Sequence, residues 1–420
     1  MNQQELVLVG AALFNANKAL EIPIGPEHFS TKIGAAIWQT VTAMASSGDS
    51  VDMVSVIGAL GDKYRKVVGQ AAQEAGAAEN MATYAKQVRQ AWIRRQCFEK
   101  WEELDWHQPG MAVNDMLTFL LDMDRPDTSR VVSAGQMMSE VTEYVDRVHQ
   151  LANAGQTVGV PTGITDLDTM IGGWQDSDLN IVAARPAMGK TAFMLSSIIA
   201  AARKGYKTCA VSAEMPTVQL GVRALAGASG VSGIKLRNGR VTSDDFARLP
   251  GPMGELAKLD FEIMDASACT PAEIVKQAQV WCRQGMKALW IDHLHRLRPD
   301  RRYDNLSQQV GDMAQTFKET AKRLEIPVIL LAQLNRECEK RDDKRPVMSD
   351  LRESGGIEQE ADMVAFLYRD SVYHDTGRPE AAEIIIEKQR NGPIGTLECA
   401  YLERRMMWAD QDIARYDDAG

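Results

Sequence analysis

The chain has 420 residues, of which 45% are hydrophobic and 25% charged, close to the globular average. That balance excludes wholesale disorder and fibrous or collagen-like chains, and the length predicts two or three domains. With a formal net charge of −10, a broad basic face for nucleic acid is not the default expectation, which leaves open DNA contact through a few local loops.

No apolar run approaches the ~18 residues needed to span a bilayer. The longest runs, around Ile198–Ala202 and Ile326–Ala332, have the length of core strands or helices. The opening Met1-Asn2-Gln3-Gln4-Glu5 lacks the basic start of a signal peptide. Six cysteines are scattered without a Cys-x-x-Cys pair, which fits reduced thiols better than a disulfide framework or a zinc site. The expectation is a soluble, cytoplasmic protein with no membrane segment.

Residues 1–104 read as a small all-helical N-terminal domain. Leu6, Val9, Leu13 and Phe14 recur at helical spacing. So do Met81, Tyr84, Val88, Trp92 and Trp101, with Arg95 interrupting the stripe, in a helix that Asn80 is placed to cap. Residues 105–155 read as a linker region. Gln108-Pro109-Gly110 and Arg125-Pro126-Asp127 are turn or linker signals. After Ser133, the residues Met138, Val141, Val145, Val148 and Leu151 form an amphipathic helix. Its apolar stripe must pack on its own chain or on a neighbour, and pattern alone does not choose.

From residue 156 to 420 the texture becomes α/β. Candidate strands are Leu179–Ala184, Lys207–Ala213, Phe261–Asp265, Ala288–Asp292, Pro327–Ala332, Met363–Tyr368 and Glu383–Lys388, separated by helical stretches. This alternation predicts a mostly parallel sheet covered by helices on both faces. Ligands of such sheets bind outside the carboxyl ends of the strands, so the chemistry is sought there.

Ala184-Arg185-Pro186-Ala187-Met188-Gly189-Lys190-Thr191 follows an apolar strand and opens a helix, the context a P-loop requires. Ala184 stands where the usual pattern has its first Gly, which is harmless if that position needs no positive φ. Gly189 admits a phosphate close to the backbone, and the helix N-terminus favours the anion. Lys190 would reach the β- and γ-phosphates, and the Thr191 hydroxyl would bind Mg²⁺. Arg185 joins the nucleotide contacts. A chance Gly-Lys-Thr at an ordinary strand–turn–helix is the competing reading, and other strand ends oppose it. Asp292 ends the apolar run Leu289-Trp290-Ile291 and would hold the metal, although a strand-end Asp also caps helices. Glu214, after another strand, is placed to polarise an attacking water. Gln333 ends a third and would sense the γ-phosphate. His293 and His295 make a poor metal cluster, because no third His or Cys ligand lies nearby.

These residues resemble those of the DnaB-type replicative helicases. The resemblance rests on Pro161–Asp168, Val182–Thr191, Ser212–Pro216, Lys344–Gly355, Ile357–Asp362 and Lys388–Gly395, in order and spacing. Gly48–Met53 carries a looser likeness in the N-terminal part. The family tolerates Ala at the first P-loop position. The resemblance implies a RecA-like P-loop motor that couples ATP hydrolysis, with Mg²⁺, to 5′→3′ movement on single-stranded DNA as a homo-hexameric ring. Replication-fork DNA, a primase and a helicase loader are the implied partners. Arg390 would be an arginine finger in the adjacent subunit's site and Lys388 its companion. Arg223 would contact phosphate. Arg352, Glu353 and Gly355 would belong to a central-channel loop on the DNA backbone, and Arg296–Arg302 is a second basic segment for the same channel. The linker helix would pack on a neighbouring motor domain. His293-Leu294-His295 departs from the family's commoner Tyr-Leu-Gln. Two other readings remain at this stage: a RecA-like strand-exchange ATPase, and an interaction module that hydrolyses little ATP.

Overall fold

A computed structural model describes residues 1–20, 22, 24–75, 81–107, 109–123, 132–266, 269–299, 305–375 and 377–412. Within these, the side chains of residues 110, 114, 117, 118, 121–123, 306 and 352–355 are not described. The chain forms two compact units, Met1–Arg125 and Pro126–Gly420.

The first unit is all helical among its described residues: α1 (Gln3–Phe14), α2 (Ala16–Leu20), α3 (Lys32–Ser47), α4 (Met53–Leu60), α5 (Arg65–Glu74), α6 (Met81–Glu103) and α7 (Pro109–Met123). Asn2 caps α1 through a reciprocal box with Glu5. Every residue from Glu5 to Leu13 is buried, so α1 is the central helix of this unit rather than an amphipathic surface helix. The buried Glu5 carboxylate is satisfied by the Ser30 amide and hydroxyl, at 2.7 and 2.8 Å. In α6 the expected stripe is only half covered. Met81, Ala85 and Val88 are buried, while Trp101 is 52% exposed. Asn80, its expected cap, and Arg125-Pro126-Asp127 lie outside the described residues. Pro109-Gly110 begins α7, since proline is well suited to a first helical turn, where no amide donor is needed.

The second unit opens with α8 (Ala134–Asn153), capped by Ser133 with Gln136. The expected stripe is present but uncovered, with Met138, Val141 and Val145 between 44% and 55% exposed. The body is a nine-stranded sheet in the order β3-β2-β4-β5-β1-β6-β7-β8-β9. The strands are β1 (Leu179–Ala184), β2 (Thr208–Ser212), β3 (Phe261–Asp265), β4 (Ala288–Asp292), β5 (Val328–Gln333), β6 (Met363–Tyr368), β7 (Ala381–Gln389), β8 (Gly395–Leu402) and β9 (Met407–Ala409). The first six are parallel, and β7–β9 extend the edge antiparallel. The helices are α9 (Thr165–Ile171), α10 (Lys190–Arg203), α11 (Thr217–Ser229), α12 (Gly233–Asn238), α13 (Ser243–Ala247), α14 (Pro250–Leu256), α15 (Pro271–Arg283), α16 (Leu306–Leu324) and α17 (Gly355–Glu360).

The central strands β1 and β4 are buried along their whole length, as a parallel sheet covered on both faces requires. One face packs Phe317 of α16 and Trp281 of α15. The other carries an aromatic cluster beneath α10. Phe193 lies edge-on to Trp174, Trp290 and Trp408, with ring centroids 6.4, 6.2 and 5.8 Å away. Such edge-to-face pairs add to the area the rings bury, and they fix the helix that follows the P-loop.

Candidate active site

The four polar strand ends meet because their strands are parallel and in register. Ser212 at the end of β2 pairs with Asp292 at the end of β4, and Ala184 at the end of β1 pairs with Gln333 at the end of β5. One edge of the sheet therefore collects Lys190, Thr191, Glu214, Asp292 and Gln333.

Ala184 is fully buried and continues the strand, so no positive φ is needed there. The left-handed positions are instead Ala187, with φ 69°, and Gly189, with φ 97°. Lys190 folds back over the loop and donates to the Ala184 carbonyl at 3.1 Å. Burial holds its ammonium below the usual lysine range. The Thr191 hydroxyl donates to Asp292 Oδ2 at 2.8 Å, while Asp292 Oδ1 is buried with no hydrogen-bond partner in the protein. Burial raises the Asp292 carboxyl above its ordinary value. A hydroxyl beside a carboxylate with an unused oxygen is a donor set that a hard divalent cation fits.

Glu214 lies just past β2, half-exposed, with Oε2 3.4 Å from Nε2 of the buried His293. Burial pushes the His293 imidazole down to about 4, so it is neutral near pH 7 and faces Glu214 without a charge. Gln333 is exposed at the end of β5. Arg223, on α11, is close enough to Asp292 to bias its titration. Arg185 is buried and already engaged: Nη1 donates to the Leu334 carbonyl at 2.6 Å and Nε to Glu339 at 2.9 Å.

Sequence reasoning missed the residues that hold the loop from beneath. Trp408 of β9 donates Nε1–H to the Gly189 carbonyl at 3.0 Å. Arg369, after β6, donates to the Ala187 carbonyl at 3.2 Å and stacks its guanidinium 4.0 Å from the centre of the Tyr401 ring on β8. A Cβ at Gly189 would come within 2.9 Å of both Trp408 Nε1 and the Tyr401 ring. Strands β8 and β9 were not recognised in the sequence, and nothing in their short runs signals a loop some 200 residues away.

Lys388 and Arg390 lie at the opposite edge of the sheet. Gln389 pairs with Met363 at the start of β6, and Met363 pairs with Asn180 near the start of β1. The length of β1 thus separates Arg390 from the P-loop of its own chain. Arg390 lines a cavity of about 480 Å³ together with Asp178, Asp362 and Arg147 of α8. Burial, with Asp362 nearby, pushes the Asp178 carboxyl up to about 6.

The backbone of Arg352 and Glu353 forms a 3₁₀ turn within Met348–Ser354, and Gly355 begins α17. Their side chains lie outside the described residues, as do residues 300–304 of the second basic segment. Among the described residues, no helix is long and apolar enough to cross a membrane.

Comparison with known proteins agrees with this geometry over almost the whole chain. Residues 159–410 match the DnaB-like helicase C terminal domain, and residues 1–90 match the DnaB-like helicase N terminal domain. The chain is 35% identical over 417 residues to the replicative DNA helicase DnaC of Bacillus subtilis (strain 168), covering 94% of this chain and 90% of that protein. It is 35% identical over 416 residues to the replicative DNA helicase DnaB of Geobacillus stearothermophilus, again covering 94% and 90%. A solved DnaB-like replicative helicase, studied with its primase interactions, superimposes with a TM-score of 0.67 at 27% identity, over 98% of this chain and 100% of that one. A solved ATPase domain gives 0.63 at 31%, over 67% and 99%. With a P-loop, the Asp292 strand end and a RecA-like sheet in one place, and relatives matched along nearly their full length, the chain belongs to the DnaB-like replicative DNA helicase family.

Proposed function

We propose that this helicase works as a homo-hexameric ring that moves 5′→3′ on single-stranded DNA, each ATP lying between two subunits. The observation that carries the reading is the split of its charged groups between two edges of one sheet. Lys190, Thr191 and Asp292 form half a site at one edge, and Lys388 and Arg390 stand at the other. A head-to-tail ring closes such halves on each other at every interface.

Within one interface, Gly189 and the α10 N-terminus receive the phosphates and Lys190 balances their charge. Thr191 and Asp292 would hold Mg²⁺, which supplies charge neutralisation across the β- and γ-phosphates when bound. Glu214 accepts the proton of the attacking water and orients it. Gln333 donates to the γ-phosphate and reports its loss along β5. Arg223 contributes a further positive charge beside Asp292. Arg390 of the neighbour neutralises charge that develops in the transition state, and Lys388 assists it. Arg185, tied to Glu339 and Leu334, serves the nucleotide by fixing the far side of the loop.

Arg352, Glu353 and Gly355 are assigned to the DNA-backbone loop, which binds any sequence and weakens with salt. The uncovered face of α8, with Met138, Val141 and Val145, packs on a neighbouring subunit. Residues 1–104 form the N-terminal domain, 105–155 the linker region and 156–420 the motor. A primase and a loader are the expected partners, in the cytoplasm of a bacterial or phage-infected cell.

Strand displacement on forked DNA with Mg-ATP tests this directly. Unwinding is expected when the 3′ arm is blocked and not when the 5′ arm is blocked. The reverse pattern overturns the polarity, and duplex pairing without unwinding overturns the helicase mechanism.

A further inference from the structure

The two basic residues at the far edge are seated, not loose. Lys388 Nζ donates to the Glu358 carbonyl. Arg390 Nη2 donates to the Gln359 carbonyl at 2.8 Å, and Nη1 lies 3.3 Å from Asp362 Oδ1. The Arg390 amide also donates to the Asp362 carbonyl at 2.9 Å. Glu358 and Gln359 belong to the last turn of α17, where carbonyls lack partners inside the helix and carry partial negative charge. They are natural seats for a cation.

Asp362 is fixed before Arg390 meets it. It is buried, and its Oδ2 accepts from the Leu179 amide at 2.7 Å and from Lys318 of α16. One carboxylate is therefore shared between two cations, Lys318 and Arg390. Arg390 makes one side-chain hydrogen bond here, from Nη2, with Nη1 in an ion pair, and its side chain is 48% exposed. The rest of its five-donor fork is open for a phosphate.

The height of this seat is set by two glycines. A Cβ on Gly356 of α17 would come within 2.4 Å of Gly311 Cα on α16, and a Cβ on Gly311 within 3.2 Å of Gly356 Cα. The helices meet backbone to backbone, with no side chain between them to absorb a shift. Moreover, Lys318 on α16 holds Asp362, so both parts of the seat hang on the same helix.

We propose that Asp362 and the C-terminal carbonyls of α17 are positioning groups that aim Arg390 and Lys388 at the neighbouring subunit's nucleotide, with the Gly311–Gly356 contact fixing their height. This rests on the reading of Arg390 as a finger acting in trans. A seated guanidinium has already lost the rotamer freedom that docking would otherwise remove, so more of its interaction reaches the transition state.

The experiment is steady-state ATP hydrolysis on single-stranded DNA by the full chain, with assembly and melting temperature measured alongside. In Gly356→Ala, α17 must retreat by about 1 Å, and misplacement of that size lowers kcat on the order of 10²-fold. KM for ATP stays near wild type, because Lys190 and Thr191 lie at the other edge. Gly311→Ala acts in the same direction more weakly, and Asp362→Asn lowers kcat through lost aim. Combined with the double variant Arg390→Ala/Lys388→Ala, none of these adds a further loss, since the groups they aim are gone. If Asp362→Asn does not fold, having lost the charge that balances Lys318, the two glycine variants decide. Folded, assembled glycine variants with wild-type kcat beside a crippled Arg390→Ala overturn the seat and leave the finger standing. Losses that multiply in the Arg390→Ala/Lys388→Ala background also overturn it, because they report general damage. A near-normal Arg390→Ala protein removes the finger, and the seat with it.

Discussion

The proposed ring, with sites shared between subunits, makes a prediction that single variants do not. Lys190→Ala removes the phosphate lysine from one edge of the sheet, and Arg390→Ala removes the finger from the other. Between these edges runs β1, from Leu179, which donates its amide to Asp362, to Ala184, paired with Gln333. At ~3.3 Å per residue that is roughly 17 Å, longer than an arginine side chain. Arg390 therefore cannot serve its own P-loop. Each variant alone is expected to lose roughly 10³-fold or more in turnover. In a ring co-assembled from equal amounts, an Arg390→Ala subunit still offers an intact P-loop, and a Lys190→Ala neighbour still offers an intact finger. With random placement, about a quarter of the interfaces combine the two intact halves. Co-expression of the two variants with different tags, tandem purification and phosphate-release kinetics on single-stranded DNA measure the outcome. Activity far above either parent is expected, up to about a quarter of wild type if interfaces act independently. If Arg390 acted within its own chain, every site in the mixture would lack one group. Co-assembled rings that stay at the parental background would refute the reasoning.

Other perturbations follow from particular contacts. Gly189→Ala meets both a φ of 97° and the Trp408 and Tyr401 rings, so nucleotide binding and turnover should collapse while circular dichroism stays native; normal Mg-ADP binding would show that the loop tolerates a Cβ. Val141→Asp with Val145→Asp places charge on the uncovered stripe of α8 and should shift the sedimenting species from the ring to smaller forms; an intact hexamer would remove the stripe from the assembly. Asp178 titrates near 6 in the folded chain against 3.8 in an ordinary environment, so the folded state binds its proton more tightly and stability falls as pH rises from about 4 to about 6. Asp178→Asn abolishes that contribution, and urea melts of the two proteins should converge at low pH and separate in the variant's favour toward neutrality; parallel pH profiles would be the contrary result.

Much of the motor was legible in the sequence because its signals are local. Periods of apolar residues marked β1, β3, β4 and β6 at their observed bounds, and a Gly-Lys-Thr after an apolar strand marked the phosphate loop. The gathering of Asp292, Glu214 and Gln333 at one edge was legible by the same logic, since polar residues ending buried parallel strands share that edge. The helix after Ser133 was legible through its cap and stripe.

What only the tertiary structure decided involves partners far apart in the chain. Register across β1, β5 and β6 put Arg390 at the edge away from Lys190, and no local pattern states a register. The support of the P-loop by Arg369, Tyr401 and Trp408 arises from segments that close the sheet some 180 to 220 residues later, where two hydrogen bonds and one stacked ring leave no periodic trace. Likewise α1 carries an ordinary helical stripe, yet it is buried on all sides because other helices surround it. Periodicity records which face a segment hides, and packing decides what hides it.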